Sequence, residues 1–123
     1  MHKRLFILYI ISACACASTA RFISPIGYID TQANRQRVVS YIEARVHDQY
    51  CRSALKMCSP ASLRRMERAN LEAFQALLQT KDKNLLKTMI RQYCNGGLNM
   101  CSYVTLNRMY AHNLEAKHKK LKW

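Results

Sequence analysis

The chain has 123 residues and a formal net charge of +13, with 20 Lys plus Arg against 7 Asp plus Glu. This length suits one small domain around one hydrophobic core. The charge favours anionic partners such as phospholipid head groups, cell-wall polymers, nucleic acid or an acidic protein, although it also promotes solubility. A membrane-spanning helix needs about 20 apolar residues, and every apolar run of this chain is shorter. We therefore do not expect an integral membrane protein.

The first 20 residues are typical of an export signal. A positively charged start is followed by an apolar run and then by small residues, the order that precedes cleavage. Residues 11–14 also have the form of a bacterial lipobox, in which Cys14 would carry a lipid and begin the mature chain. We expect cleavage after Ala20, with an outer-membrane lipoprotein as the alternative. Cleavage leaves 18 basic and 7 acidic residues, because Lys3 and Arg4 are removed, and a net charge of +11.

An internal repeat dominates the rest of the chain. Residues 49–73 recur 43 positions later as residues 92–116, and 14 of the 25 aligned positions are identical. A repeat of this period is typical of stacked helix pairs, each unable to bury its apolar face alone. We therefore predict an all-α protein of four helices in two tandem disulfide-stapled hairpins, arranged as a small bundle or short solenoid. The predicted organisation is an N-terminal arm at 21–30 and a single helical domain at 31–123, with repeat 1 at about 31–79, repeat 2 at about 82–118 and a basic tail at 117–123.

The first helix is predicted to follow an N-cap at Asp30 or Thr31 and to end near Cys51. Its apolar positions fall within an arc of about 120° at the helical period. These positions are Val38, Val39, Ile42, Val46 and Tyr50.

Strong boundary signals define the other helices. Ser59 followed by Pro60 predicts the start of the second helix, which runs to about Gln79. The third helix is predicted to stop at residues 95–97, Asn-Gly-Gly, and Ser102 caps the fourth. The predicted apolar stripes are Leu63, Met66, Ala73, Phe74 and Leu77, then Leu85, Met89 and Tyr93, then Leu106, Met109 and Leu114.

Four cysteines flank the two hairpin corners. In an exported chain they predict disulfides, and the repeat favours the local pairs Cys51–Cys58 and Cys94–Cys101. Each ring would contribute about 2–3 kcal/mol. The other two connectivities remain open from sequence alone. Zinc is less favoured, because a six-residue gap differs from the two-to-four-residue spacing of common zinc sites.

Some polar residues are kept in both copies of the repeat. Asn70 and Asn113 lie within apolar stripes, where an amide must find hydrogen-bond partners. They predict a contact that fixes the register between helices, with a ligand contact as the alternative. On the opposite faces, four charged residues are either relics of duplication or a surface presented to a partner: Arg65, Glu72, Arg108 and Glu115.

The C-terminal tail is the other candidate binding site. It combines four lysines with the only tryptophan of the chain: Lys117, Lys119, Lys120, Lys122 and Trp123. Basic side chains beside an aromatic ring suit a membrane interface and also a nucleic-acid backbone, although a solvated tail would look the same. His112 and Glu115 lie one helical turn apart, a spacing too common to predict catalysis. We expect no enzymatic activity, no cofactor and no bound metal.

These features predict an exported, basic, non-enzymatic binding protein of the bacterial periplasm or cell surface. Its partner would be an anionic surface, such as membrane head groups or cell-wall polymer, or another exported protein, with nucleic acid less favoured. An accessory role in a secretion, conjugation or phage system would fit this description. The alternative is a secreted cationic toxin or antimicrobial factor that perturbs membranes.

Overall fold

The computed structural model describes residues 20–52, 57–95 and 101–123, and all regular structure in these ranges is helical. The helices are α1 (Gln32–Cys51), α2 (Pro60–Leu78), α3 (Lys83–Cys94) and α4 (Tyr103–Lys117). The predicted all-α class with four helices is therefore confirmed for this part of the chain. None of these helices is both long and apolar enough to cross a bilayer. The proposed export signal and Cys14 lie outside the described residues.

Each helix begins at a side chain that accepts a hydrogen bond from the backbone N–H three residues later. The capping residues are Thr31, Ser59, Asp82 and Ser102. Such a cap satisfies one of the N–H groups that the first turn of a helix leaves without a partner. The predicted caps Ser59 and Ser102 are confirmed, Thr31 rather than Asp30 caps α1, and Pro60 opens α2 as expected. The cap of α3, Asp82, was not predicted.

The helices pack in the order α1, α2, α4, α3. Helix α2 lies against α1 on one side and α4 on the other, and α3 packs against α4. The second helices of the two hairpins thus meet at the centre, and the first helices flank them. The buried apolar core contains Val38, Tyr41, Ile42, Val46, Ala73, Phe74, Leu77, Leu86, Met89, Cys101, Tyr103, Leu106 and Tyr110.

The buried face of α1 is rotated from the predicted arc. Val39 is 41% exposed, whereas Tyr41 is buried. The Tyr41 ring packs against Tyr103, with 5.4 Å between ring centroids, and its hydroxyl donates a 2.5 Å hydrogen bond to the Cys101 carbonyl. Val39 instead lines a surface groove of about 760 Å³ between the N-terminal arm, α1 and α2.

The arm at residues 21–30 contributes aromatic rings to the core. Phe22 lies 5.6 Å from both Tyr41 and Tyr103, and Tyr28 lies 5.1 Å from Phe74 between ring centroids. The fully buried Tyr103 hydroxyl donates to the Ile23 carbonyl at 2.7 Å and accepts from the Ile23 N–H at 3.3 Å. These contacts fasten the non-helical arm to the start of α4.

Both predicted disulfides are present, Cys51–Cys58 and Cys94–Cys101. Each closes a corner between two helices, so the local pairing is confirmed. Helix α3 ends with Asn95 as its C-cap, while the glycines expected to help stop it, within residues 96–100, lie outside the described ranges. Disulfides of this kind indicate an oxidising, non-cytoplasmic environment.

Asn70 links the two central helices. Its side chain is 5% exposed, and its amide donates to the Met66 carbonyl at 2.9 Å. Its oxygen accepts the N–H of Val104, in the first turn of α4, at 3.3 Å. Among the described residues, Asn113 makes only the matching bond within its own helix, to the Met109 carbonyl at 2.8 Å. The contact between helices therefore runs from an amide to the backbone, and the two asparagines do not pair with each other.

Candidate anion-binding surface

The turn between α2 and α3 meets the last turn of α4 at one end of the bundle. Asp82 caps α3 by accepting the Leu85 N–H at 3.0 Å, and its other carboxylate oxygen lies 2.7 Å from the Lys117 ammonium. The Asp82 N–H also donates to the Tyr110 hydroxyl at 3.2 Å. The contacts of Asp82 with Lys117 and with Tyr110 thus fix the root of the C-terminal tail beside the start of α3.

The ion pair between Asp82 and Lys117 widens the pH range over which both groups are charged, because it shifts the pKa values of both. The hydrogen bond from Lys117, followed by that from the Leu85 N–H, lowers the pKa of Asp82. The same bond to Asp82 raises the pKa of Lys117. Lys117, the first lysine of the predicted binding tail, therefore forms a contact within the protein and anchors the residues that follow it.

Lysines outnumber carboxylates at this end of the molecule, which we call the basic end. It comprises Lys81, Asp82, Lys83, Glu115, Lys117, His118, Lys119, Lys120, Leu121, Lys122 and Trp123. Lys117 pairs with Asp82, and Lys119 pairs with Glu115 at 2.7 Å. Within the described ranges, no carboxylate forms an ion pair with Lys81, Lys83, Lys120 or Lys122. The basic end therefore carries four exposed lysines that form no ion pair within the part of the chain that the structure describes.

The basic end also exposes apolar surface. Helix α4 ends at Lys117, and the side chains of Leu121 and Trp123 beyond it are fully exposed. A shallow depression of about 600 Å³ lies alongside, and its lining includes Lys81, Leu114 and His118. Exposed lysines next to an indole and a leucine side chain can contact an anionic, partly apolar surface such as lipid head groups.

Helix α3 extends the positive charge away from the tail. Lys83, Lys87 and Arg91 are spaced four residues apart and are all exposed. The helix contains no acidic residue. The spacing places the three cations in one row along the outer side of α3, which begins at the basic end. This row was not predicted from the sequence, although its i, i+4 spacing is a signal that could have indicated it.

The four charged residues that the repeat keeps on its helix faces do not form one cluster in the structure. Arg65, Glu72 and Arg108 are exposed on α2 and α4, and none forms an ion pair within the part of the chain that the structure describes. Glu115 instead pairs with Lys119 and lies at the basic end. The structure thus brings Glu115 together with the tail, and no ion pair connects it with the other three.

Comparison of the chain with protein-family models, curated proteins and solved structures finds no match.

Proposed function

We propose that the protein is an exported, non-enzymatic binding protein that docks an anionic surface through its basic end. The observation that carries the proposal is the contact of Lys117 with Asp82, which holds the tail beside the α2–α3 turn. This contact brings Lys117, where the tail begins, beside the turn that carries Lys81 and Lys83. The exposed Leu121 and Trp123 follow in the same tail. The two disulfides support the exported state, because they require an oxidising environment.

The magnitudes agree with a useful affinity. A lysine near an anionic leaflet contributes about 1 kcal/mol, so Lys81, Lys83, Lys120 and Lys122 together would supply about 4 kcal/mol. Full burial of a large apolar side chain adds about 1.5–3 kcal/mol, so Leu121 and Trp123 would each add up to this amount. The total of roughly 7–10 kcal/mol corresponds to dissociation constants between roughly 10 μM and 50 nM. The cost of ordering the tail moves the expected constant toward the micromolar end.

A vesicle titration tests the proposal. Trp123 is the only tryptophan, so a blue shift of its fluorescence reports entry of the tail into the head-group region. We expect binding to vesicles rich in anionic lipid and little binding to zwitterionic vesicles. Binding should weaken as added salt shortens the Debye length from about 30 Å at 0.01 M to about 8 Å at 0.15 M.

Two double variants, each lacking two positive charges, distinguish the contribution of the basic end to vesicle binding from that of the repeated helix faces. The double variant Lys120→Gln, Lys122→Gln removes two charges from the tail, and Arg65→Gln, Arg108→Gln removes two charges from the helix faces. The first should weaken binding about 30-fold, the equivalent of about 2 kcal/mol. The second should change it little. Equal losses would show a diffuse effect of net charge, and a larger loss in the arginine variant would move the binding surface to α2 and α4.

The same vesicles test the toxin alternative. Exposed Leu121 and Trp123 beside lysines also suit a segment that inserts into a bilayer and disturbs it. A membrane-perturbing factor must release a dye trapped inside anionic vesicles at the protein concentrations that saturate binding. Docking alone shifts the Trp123 fluorescence and leaves the dye inside.

We further infer that the two hairpins are tandem copies of one ancestral unit. The inference is supported by the 14 identities over 25 aligned positions and by disulfides of equal separation, 7 residues, at both corners. Serine caps at Ser59 and Ser102, and amide bonds of Asn70 and Asn113 to the carbonyl four residues earlier, add to this support.

A further inference from the structure

The first disulfide corner has a histidine that the second lacks. His47 lies one helical turn before Cys51 in α1, and a ring nitrogen of His47 and the sulfur atoms of Cys51 and Cys58 all lie within 4.8 Å of one another. At the matching position before Cys94, the chain has the half-buried Ile90, which packs against the core. The two corners therefore share the disulfide and differ in the third side chain.

Two thiolates and an imidazole are a ligand set that zinc accepts. Zn–S distances of about 2.3 Å and Zn–N distances of about 2.0–2.1 Å in a tetrahedral site place ligand atoms roughly 3.6–3.8 Å apart. The disulfide itself holds the two sulfur atoms together, with the α-carbons of Cys51 and Cys58 4.7 Å apart. The independent observation is the His47 ring nitrogen, which lies within 4.8 Å of both sulfur atoms. Once the sulfur–sulfur bond is broken, rotation of side chains alone can open the two sulfur atoms to the separation that zinc needs.

We propose that His47, Cys51 and Cys58 form a redox-gated zinc site, closed to metal as the disulfide and open as the dithiol. A dithiol reductant gives two electrons and two protons to the Cys51–Cys58 bond and itself becomes a disulfide. Zinc then displaces the two thiol protons and binds two thiolates and the neutral imidazole nitrogen. A water molecule completes four-coordination, as in zinc sites with three protein ligands.

Exposure makes this corner the first to be opened. His47 and Cys58 are exposed and Cys51 is half-buried, whereas Cys94 is half-buried and Cys101 is buried. The Cys101 carbonyl is also held by the Tyr41 hydroxyl, inside the aromatic cluster. Because thiol–disulfide exchange requires a thiolate to reach a sulfur atom, a small dithiol should reduce Cys51–Cys58 before Cys94–Cys101.

Metal binding would preserve the fold of the reduced corner. The disulfide connects the end of α1 to the residue before the cap of α2, and a metal bound by His47, Cys51 and Cys58 connects the same two segments. Because the unfolded chain does not hold these ligands together, the binding free energy stabilises the folded state. The dithiol protein with zinc should therefore unfold at a higher temperature than the dithiol protein without it.

Cobalt(II) provides the test, because thiolate coordination gives it a sulfur-to-metal charge-transfer band and a tetrahedral site gives strong visible absorption. The purified disulfide-bonded protein is titrated anaerobically with dithiothreitol, and peptide mapping after alkylation identifies which cysteines have opened. The reductant is then removed and cobalt is added. We expect both absorption features at one cobalt per chain, their loss on adding zinc, and no such features in the oxidised protein.

Matched histidine variants decide whether the site is built as proposed. His47→Ala should weaken metal binding by more than about tenfold, because loss of a ligand costs at least as much as loss of a residue that supports one. His112→Ala removes an exposed histidine from α4 and should leave binding unchanged. Equal binding by wild type and His47→Ala would overturn the proposal, as would absence of the charge-transfer band, metal binding by the disulfide form, or reduction of Cys94–Cys101 first. Both histidines are exposed on helices, so the two variants should fold equally well.

Discussion

Replacement of Asn70 by alanine should destabilise the protein far more than the same replacement at Asn113. Both asparagines bond to the carbonyl four residues earlier in their own helix. Only Asn70 also accepts a hydrogen bond from the first turn of the neighbouring helix, at the Val104 N–H. The pair of variants thus isolates one contact between α2 and α4.

The expected cost follows from what each substitution leaves behind. Asn70→Ala deprives the Val104 N–H of its partner, which costs about 1–2 kcal/mol at this part-buried site. It also removes the bond to the Met66 carbonyl, worth about 1 kcal/mol. The gain in helix propensity from asparagine to alanine is the same in both variants and cancels in the comparison. We expect a loss of about 2–3 kcal/mol for Asn70→Ala and under about 1 kcal/mol for the half-buried Asn113→Ala.

Urea unfolding of the oxidised protein, followed by circular dichroism at the helical signal, measures the two changes. In a domain of this size the loss at Asn70 corresponds to a fall in midpoint temperature of roughly 8–24 °C. Equal destabilisation of the two variants would refute the reasoning, because it would show that the Val104 bond contributes nothing beyond the bond within the helix. A variant with unchanged m-value but lower midpoint confirms that stability, and not the denatured state, has changed.

Two further predictions concern the tyrosines and the helix caps. Burial raises the pKa of Tyr41 and of Tyr103 above the ordinary 10.0. Their contribution to stability is therefore fully present below pH 10 and is lost as the pH rises above it. The urea midpoint should fall as the pH is raised above 10, and it should fall less steeply in Tyr103→Phe. Replacing Ser59 or Ser102 by alanine should each cost about 1 kcal/mol in the same unfolding assay, since each removes the acceptor of an N–H in the first helical turn. A midpoint that stays constant above pH 10, or a cap variant as stable as the wild type, would contradict the respective prediction.

Local signals account for what could be predicted of the fold. A capping serine marks the start of α2 and of α4, and at α2 it is followed by Pro60, so both starts were predicted from local sequence. The local disulfides were favoured because each copy of the repeat contains its own pair of cysteines. The periodicity of the apolar residues from Val38 to Tyr50 also predicted the position of α1, because the helical period repeats there over about three turns.

Tertiary contacts account for what the sequence did not reveal. Tyr103 occupies the first position of α4, where its sequence context gives no sign that its hydroxyl will meet the backbone of Ile23, 80 residues away. Tyr41 is buried in place of Val39 because two other aromatic rings lie where it points. At the candidate site, the tail lysines were evident, but the contact of Lys117 with Asp82, which brings Lys81 and Lys83 beside them, depends on how α3 and α4 pack.

The two proposed sites can be tested separately because α2 lies between them. The Cys51–Cys58 corner precedes the first residue of α2, and the basic end begins beyond its last. The 19 residues of α2 span about 28 Å at 1.5 Å per residue, several times the Debye length of about 8 Å at physiological salt. Zinc that replaces two thiol protons adds no net charge to the corner. Metal loading should therefore leave vesicle binding unchanged, and removal of the tail lysines should leave the cobalt spectrum unchanged, so a failure of either proposal can be recognised without reference to the other.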